Sequence, residues 1–460
     1  MRHVLSPLTL VLLCWGLTGL GAFWALTNLD DLDLVRTFMM REGVSRSAFT
    51  GAGLSWILLG LLTYVVADFA TQFSQKRMPV PRRRYDTGRA ARMTFMANLV
   101  LLGVTALWIV TAAAKAGGVL NLAASAYADS LTARDILLEN KLFTGMRLFY
   151  AALPATASLA AALLATGTLR RRARWMMRAT LICNTTALFI LPIVMSQRLL
   201  LLQLLLSAYI AACLVRRRLF GLHWVAGGIL LFLGLWVLRE AITNPIVQRP
   251  AIDIASQKLA FYLVNDMFNA FAPLGTAIPH TNGALTLEGI MFLTFTDGYF
   301  TRLLAPRMEV LGAVLGGGEF PFFTAAYVDF GPIGGVVFIA LCAFVFRWVF
   351  MRARMSLAWA VIYAQIGATL LFSSHALYFV HQNFYFSAAL VGLVLLLSAK
   401  RPRTGVKPPA LVALFRTCRN NRSETTSLPD SLMRHMVVFE SHRSRTSKRV
   451  RRPVHEHEST

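Results

Sequence analysis

The sequence lacks the short motifs by which soluble enzymes bind nucleotides or zinc. It contains no Gly-x-x-x-x-Gly-Lys phosphate loop, no dinucleotide-binding fingerprint, no His-Glu-x-x-His pair and no nucleophile elbow. Charge is also scarce, since only 15% of the 460 residues are charged, and 22 Asp and Glu stand against 46 Lys and Arg. We therefore expect neither ATP-driven chemistry within this chain nor a soluble globular fold.

The cysteines indicate neither disulfide bonds nor a metal site. The five cysteines are scattered at positions 14, 183, 213, 342 and 418. None shows the spacing of a disulfide framework or of a zinc site, so the sequence predicts neither.

Apolar runs are what the chain has in abundance, and 56% of its residues are hydrophobic. The clearest run covers residues 179–215, is interrupted only at Ser196-Gln197-Arg198, and lies between basic clusters at 170–178 and 216–218. One helix of that length would reach roughly 55 Å, against a hydrocarbon core of about 30 Å. The run is therefore predicted to cross a membrane twice, with both basic clusters in the cytoplasm and Arg198 at the outer surface.

The same pattern along the whole chain predicts an all-α polytopic membrane protein with both termini in the cytoplasm. About ten transmembrane helices are expected. They fall at residues 5–27, 49–69, 93–114, 145–168, 179–195, 199–215, 219–238, 322–346, 356–374 and 379–398. Four regions follow from this topology: helices 1 to 7 (1–238), a large outer-face loop (239–321), helices 8 to 10 (322–400) and a basic tail (401–460). The tail is predicted to be disordered and to lie near anionic membrane lipids, and nucleic-acid binding is not expected.

The loop at 239–321 is predicted to carry the functional site. It contains two apolar stretches, 258–272 and 287–295, which favour short interfacial or re-entrant helices. Its apolar and aromatic content argues against disorder, and long ordered loops usually have a function. We expect it to cover the helix bundle as a lid.

Arginines on the predicted outer face are the main chemical signal, because membrane proteins usually avoid positive charge there. They are Arg198, Arg239, Arg249, Arg302 and Arg307. A guanidinium binds phosphate or carboxylate oxygens in bidentate fashion, which would suit a lipid-linked pyrophosphate. The alternative is pairing with neighbouring acids: Arg239 with Glu240, Arg302 with Asp297, and Arg307 with Glu309. Arg198 has no such acid nearby in sequence.

A glycine-rich entry into the eighth predicted span is the second signal. It begins at Gly316-Gly317-Gly318-Glu319 and continues through Tyr327-Val328-Asp329-Phe330-Gly331 to Gly334-Gly335. Glycines there permit unusual backbone angles and close helix packing, and Asp329 could cap the helix or meet an arginine. Packing and capping alone would also explain the pattern.

Two of these features resemble bacterial O-antigen and exopolysaccharide polymerases, the oligosaccharide repeat unit polymerase family. One is Arg198-x-x-x-Leu202 after a short outer turn, and the other is Tyr327-x-Asp329-Phe330-Gly331-x-x-Gly334. The predicted topology with its late outer loop resembles the same family over roughly residues 1 to 400. The related O-antigen ligases carry a histidine and a glycine at a set spacing in the large loop. The spacing of His280 and Gly289 in this sequence is close to it but not the same.

The resemblance implies a glycosyltransferase of the bacterial inner membrane. It would join oligosaccharide repeat units carried on undecaprenyl pyrophosphate into a surface polysaccharide at the periplasmic face. Arg198 would act in catalysis, with Glu319, Asp297 and His280 as candidates for the general base. The pyrophosphate or glycan would be bound by residues among Arg239, Arg249, Arg302, Arg307, Tyr327 and Asp329. No metal or cofactor is expected, and a chain-length regulator and a flippase are candidate partners.

Three other functions stay open at this stage. One is an O-antigen ligase. A second is a metal-dependent membrane glycosyltransferase, in which Asp31 and Asp33 after the first span would hold a divalent cation. The third is a transporter of lipid-linked glycans, although the predicted spans lack the mid-span charges and matched broken helices that transporters use.

Overall fold

The computed structural model describes residues 4–74, 85–128, 130–195, 199–243, 249–275, 279–296, 298–299 and 319–399. Within these ranges the protein is helical, and its only β-type pairing is an isolated bridge between Tyr85 and Ala399. The all-α prediction is therefore confirmed for this part of the chain. All of it belongs to one compact unit, Met1–Lys400, and the predicted tail at 401–460 lies outside the described residues.

The helices follow one another closely along the chain. The first eight are α1 (Pro7–Thr27), α2 (Asp33–Arg41), α3 (Gly51–Ser74), α4 (Thr87–Lys115), α5 (Val119–Ala128), α6 (Ser130–Glu139), α7 (Met146–Ala151) and α8 (Leu153–Ala165). The others are α9 (Arg171–Met195), α10 (Leu199–Arg216), α11 (Leu222–Thr243), α12 (Ala251–Phe271), α13 (Glu288–Leu293), α14 (Phe322–Ala353), α15 (Leu357–Leu370) and α16 (Gln382–Leu397).

Seven helical segments among the described residues are long and apolar enough to cross a membrane. They are Pro7–Thr27, Gly51–Ser74, Thr87–Lys115, Met146–Ala165, Leu199–Arg216, His223–Ala241 and Phe322–Ala353. Large apolar side chains on several of them face outward, among them Leu20 on α1, Leu62 on α3 and Ile333 on α14. Exposed apolar surface of this extent is typical of contact with lipid. The chain is a multi-pass membrane protein.

The remaining three predicted spans coincide with α9, α15 and α16. Helices α15 and α16 have 14 and 16 residues. At 1.5 Å per residue they reach only about 21 and 24 Å, less than a hydrocarbon core. The number of about ten spans therefore stays a prediction.

Two basic segments beside predicted spans, 170–178 and 347–354, are largely helical. Helix α9 begins at Arg171, so nearly all of the cluster at 170–178 lies within its first turns. Arginine is a good helix former, and its long side chain can carry the charge away from apolar surroundings. Helix α14 likewise continues to Ala353, because Arg347 inside it pairs with Asp68 of α3 at 3.4 Å.

Helix α8 lies at the centre of the bundle and is almost completely buried. It packs mainly against α10, and α10 also packs against α15. Alanines along α8 permit this close approach. Side-chain hydrogen bonds add specific links: Thr156 of α8 donates to Asn98 of α4 at 2.7 Å, and Gln365 of α15 donates to Ser158 at 2.6 Å.

Helix α12 is longer than the short interfacial helix expected at 258–272, since it has 21 residues and begins at Ala251. The reason is an apolar stripe that starts before Lys258, with Ile254, Phe261, Val264 and Phe268 buried at helical spacing. Lys258 lies within the helix, and its ammonium group pairs with Glu240 at 3.1 Å. The stripe packs against α1 and α2. In the second apolar stretch the only helix is the short α13.

Candidate active site

One cavity of about 500 Å³ brings together polar residues from distant parts of the chain. The ionisable side chains that line it, which we call the polar wall, are Arg147 on α7, Asp266 on α12, Glu319 just before α14, and His375, Tyr378 and His381 between α15 and α16. Together they place two carboxylates, two imidazoles and one guanidinium around the same space. Such a set can bind anions and transfer protons.

The first acid–base pair joins α12 to the segment after α15. His375 Nδ1 lies 2.7 Å from Asp266 Oδ1, and both side chains are largely buried. Burial alone would lower the pKa of His375, but the charge and hydrogen bond of Asp266 outweigh it and raise that pKa. Burial also raises the pKa of Asp266. The pair therefore retains a proton to higher pH than a free histidine would, and it presents a cationic imidazolium to the cavity when protonated.

The second pair lies at the rim. His381 Nε2 is 3.0 Å from Glu319 Oε2, and the Glu319 side chain is 49% exposed. Partial burial opposes ionisation of Glu319, yet the hydrogen bond and charge of His381 lower its pKa overall. Glu319 is thus an ionised carboxylate that lines the cavity and can accept a proton.

Arg147 supplies the positive charge of the polar wall. Arg147 also acts on the pKa of Glu319. Burial raises that pKa, the hydrogen bond and charge of His381 lower it, and the charge of Arg147 lowers it further. Helix α7 begins after Gly145, which has a left-handed backbone (φ 91°) and lets the chain turn into the helix at this point. The guanidinium is suited to bind phosphate oxygens.

Apolar side chains also line the cavity, and we call them the apolar wall. They include Leu199 and Leu202 of α10, Phe232 and Trp236 of α11, and Leu259, Tyr262 and Leu263 of α12. The rings of Trp236 and Tyr262 meet edge to face with centroids 5.5 Å apart. The lining of the cavity therefore combines ionic groups with hydrocarbon surface.

Only one of the predicted site residues within the described part of the chain lines this cavity, namely Glu319. Arg198, Asp297, Arg302 and Arg307 lie outside the described residues. The residue after Arg198 in the chain, Leu199, is part of the apolar wall.

His280 and Tyr327 form a separate cluster at a break in α14. His280 Nδ1 is 3.2 Å from the carbonyl oxygen of Val328, and its ring meets Tyr327 edge to face at 5.7 Å. The break is at Gly331, which has φ 68° and is followed by Pro332. A Cβ atom at Gly331 would lie 3.0 Å from His280 Nε2, so the site needs glycine for conformation and for space.

Asp329, predicted to bind substrate, is fully buried in the same cluster. Its carboxylate accepts hydrogen bonds from the Thr281 hydroxyl, from Leu285 N at 3.2 Å and from Thr286 N at 2.7 Å. These contacts fix the segment that precedes α13. The role that they indicate is anchoring.

Two arginines of the predicted outer loop lie within the described residues, and both are paired with acids; for Arg239 the partner is the one that the alternative interpretation names. Arg239 is buried with its guanidinium 3.9 Å from Glu240. Arg249 makes two hydrogen bonds to Asp33, at 2.9 and 2.6 Å. Neither lines the cavity.

The contact between Arg249 and Asp33 bears on the divalent-cation site predicted at Asp31 and Asp33, because it occupies one of the two carboxylates. The hydrogen bonds and charge of Arg249 lower the pKa of Asp33 to about 2, and its oxygens face the guanidinium. Among the described residues no group of three or more His, Cys, Asp or Glu side chains is arranged to hold a metal ion.

Sequence reasoning missed Arg147, Asp266, Tyr378 and both histidines of the cavity. A signal was present in the chain, because the polar groups Ser373-Ser374-His375 and His381-Gln382-Asn383 interrupt two apolar runs within a short distance. Polar residues that interrupt apolar spans are often functional. For Arg147 and Asp266 there was no comparable pattern.

Comparison of the chain with protein-family models, with curated proteins and with solved structures finds no match. The assignment of function therefore depends on the chemistry of the cavity.

Proposed function

We propose that the protein is a membrane glycosyltransferase that joins oligosaccharide repeat units linked to undecaprenyl pyrophosphate. The observation that supports this most directly is the lining of the cavity, which combines acid–base pairs and a guanidinium with aliphatic and aromatic side chains. A lipid-linked sugar combines matching groups. Its prenyl chain is apolar, its pyrophosphate is anionic, and its glycan carries the hydroxyl groups that react.

The donor pyrophosphate fits beside Arg147 and the protonated His375. A guanidinium and an imidazolium would hold the phosphate oxygens by charge-assisted hydrogen bonds. As the bond between the sugar C1 and the phosphate oxygen breaks, the pyrophosphate leaves with the electron pair. Positive groups already in place stabilise that developing charge without reorganisation.

The acceptor sugar fits at the rim beside Glu319. Its hydroxyl oxygen attacks C1 of the donor sugar, and the hydroxyl proton passes to the Glu319 carboxylate. His381 holds that carboxylate in position through the 3.0 Å contact. The reaction yields one glycosidic bond, free undecaprenyl pyrophosphate and one proton.

The apolar wall would receive the first part of the prenyl chain. Phe232, Trp236 and Leu263 offer a surface without charge, which suits isoprene units. The proposal places the reaction at the periplasmic face of a bacterial inner membrane, as the predicted topology requires.

The test is the surface glycan profile of cells that lack the protein and carry a complementing copy. Wild type should restore long-chain ladders, whereas Arg147→Ala and Glu319→Ala should leave single repeat units. Arg174→Ala is a matched arginine control, because Arg174 donates to the Leu169 carbonyl at 3.2 Å and does not line the cavity. It should restore the ladder, and membrane levels of all variants should be equal by immunoblot.

Two outcomes would redirect the assignment. Long polymer that accumulates on the lipid carrier but is not attached to the cell surface would favour an O-antigen ligase. An unchanged glycan profile in cells without the protein would exclude the polymerase and leave the transporter as the better hypothesis.

A further inference from the structure

Helix α13 approaches the backbone beside His381 more closely than any side chain would allow. A Cβ atom at Gly289 would lie 2.2 Å from the carbonyl oxygen of Val380 and 2.5 Å from the amide nitrogen of Gln382. Both of these neighbours are backbone atoms and cannot turn aside. Only glycine therefore permits α13 to pack at this point.

The approach of α13 brings a second carboxylate to His381. Glu288 Oε2 lies 3.6 Å from His381 Nδ1, on the opposite side of the ring from Glu319, which is 3.0 Å from Nε2. Each imidazole nitrogen thus faces a carboxylate, and the two carboxylates come from different segments of the chain. The other polar groups that act on the ring are Arg147 and Tyr378, whose ring centroid is 5.5 Å away.

The segment that carries Glu288 is fixed at its other end by Asp329. Besides the side-chain bonds to Asp329, Thr281 N donates to the Val328 carbonyl at 3.1 Å and Asn282 N donates to the Asp329 carbonyl at 2.9 Å. Residues 279–293 are therefore attached to α14 at one end and to His381 at the other. We call them the positioning segment.

We propose that the positioning segment orients His381 for its contact with Glu319, with Gly289 permitting the approach and the Glu288 carboxylate facing the second nitrogen of the ring. A neutral imidazole that donates from Nε2 to Glu319 would turn an unprotonated Nδ1 toward the Glu288 carboxylate, which is repulsive. The negative charge of Glu288 thus favours the doubly protonated ring, in which both nitrogens carry a proton. This inference rests on the proposed function, since it gives His381 and Glu319 their place in the reaction.

The charge state of His381 provides a measurement that does not depend on catalysis. Burial lowers the pKa of His381, but the hydrogen bond and charge of Glu319 and the charge of Glu288 raise it overall. Hydrogen–deuterium exchange at the imidazole C2 position, followed by mass spectrometry across a pH series, reports the titration of each histidine in the purified full-length protein. Cleavage at Tyr378 or Phe379 separates the peptides of His375 and His381, so His375 serves as the internal reference.

Glu288→Gln should move the His381 titration midpoint to lower pH and leave that of His375 unchanged. Glu288→Asp should restore part of the shift. Gly289→Ala should move the midpoint in the same direction by displacing α13, whereas Gly298→Ala should not, because a Cβ atom there meets nothing within 4 Å. An unchanged His381 midpoint in both Glu288→Gln and Gly289→Ala would overturn the proposal.

The exchange result and the glycan profile separate the two proposals. A shifted midpoint in a protein whose loss leaves the glycan unchanged would keep the positioning role and exclude the polymerase. If the polymerase is confirmed, Glu288→Gln should also weaken polymerisation by a smaller factor than Glu319→Gln does. Polymerase activity with an unchanged midpoint would exclude only the positioning role.

Discussion

Two ion pairs join distant segments of this protein, and they differ in what can reach them. Asp68 of α3 and Arg347 of α14 lie 3.4 Å apart with side chains 1% and 10% exposed. Glu319 and His381 are 3.0 Å apart, but the Glu319 side chain is 49% exposed and lines the cavity. The first pair can only hold helices together, whereas the second can meet a ligand. Access, and not residue type, distinguishes a structural pair from a reactive one.

The surroundings of the two pairs differ in the same way. Asp68 Oδ1 and Arg347 Nε make no hydrogen bond within the described part of the protein. A buried pair of this kind contributes little net stability, but the loss of one partner leaves an uncompensated charge. At the cavity each charged group faces space into which substrate groups can enter.

The largest expected effect concerns the accessible pair. Glu319→Gln keeps the size of the side chain and removes its ability to accept a proton. Polymerisation should fall by about 10²- to 10⁴-fold, the usual contribution of a general base. The measurement is the rate of polymer formation from purified lipid-linked repeat units.

Glu139→Gln is the matched control for that change, because Glu139 is exposed on α6 and does not line the cavity. Its rate should equal that of wild type. Equal rates for Glu319→Gln and Glu139→Gln would show that the accessible pair takes no part in the reaction.

Asp68→Ala should have the next largest effect, this time on stability. The variant leaves Arg347 buried without its partner, which costs about 3–5 kcal/mol. The double variant Asp68→Leu with Arg347→Met removes both charges and should recover most of that loss. Thermal unfolding in detergent measures both, and equal destabilisation by the single and double variants would contradict a purely structural role.

The pH dependence of polymerisation tests the Asp266–His375 pair, with a moderate expected effect. Since the pKa of His375 is raised, its positive charge persists above the ordinary histidine value of about 6.5 and disappears as the pH rises through the folded value. Activity should fall along the same alkaline limb. Asp266→Asn removes the stabilising charge, so the limb should move to lower pH. If activity in Asp266→Asn falls at the same alkaline pH as in wild type, His375 is not the group whose titration controls the activity.

The smallest effect is expected for Asp33→Asn at the exposed contact with Arg249. The depressed pKa of Asp33, about 2, means that this contact persists from neutral pH down to about that value and is lost below it. Because solvent screens both groups, the variant should lower the unfolding temperature far less than Asp68→Ala does. A comparable decrease would show that exposure does not separate the two kinds of pair.

The sequence predicted the parts of the fold that depend on local composition. Apolar runs such as 93–114 and 322–346 became α4 and α14, although both helices extend beyond the predicted bounds. Helix α12 begins at Ala251, before the predicted stretch at 258–272, and Lys258 inside it pairs with Glu240 of α11. Long-range pairing of this kind leaves no local pattern.

The candidate site was predictable only in part, for the same reason. Glu319 was identified from its glycine-rich surroundings, and it lines the cavity. Asp329 was identified from the same motif, but its carboxylate is occupied by Thr281, Leu285 and Thr286. The motif is therefore split between one residue at the cavity and one that anchors a neighbouring segment.

The sequence by itself determined that this chain is helical and suited to a membrane, because apolar runs can satisfy their backbone in lipid only as helices. Only the tertiary structure decided where its chemistry lies. Arg147, Asp266, Glu319, His375 and His381 are far apart in the chain, and the packing of α7 and α12 beside the segments that precede α14 and α16 brings them to one cavity. No local pattern encodes that meeting, because it results from the way whole helices fill space against one another.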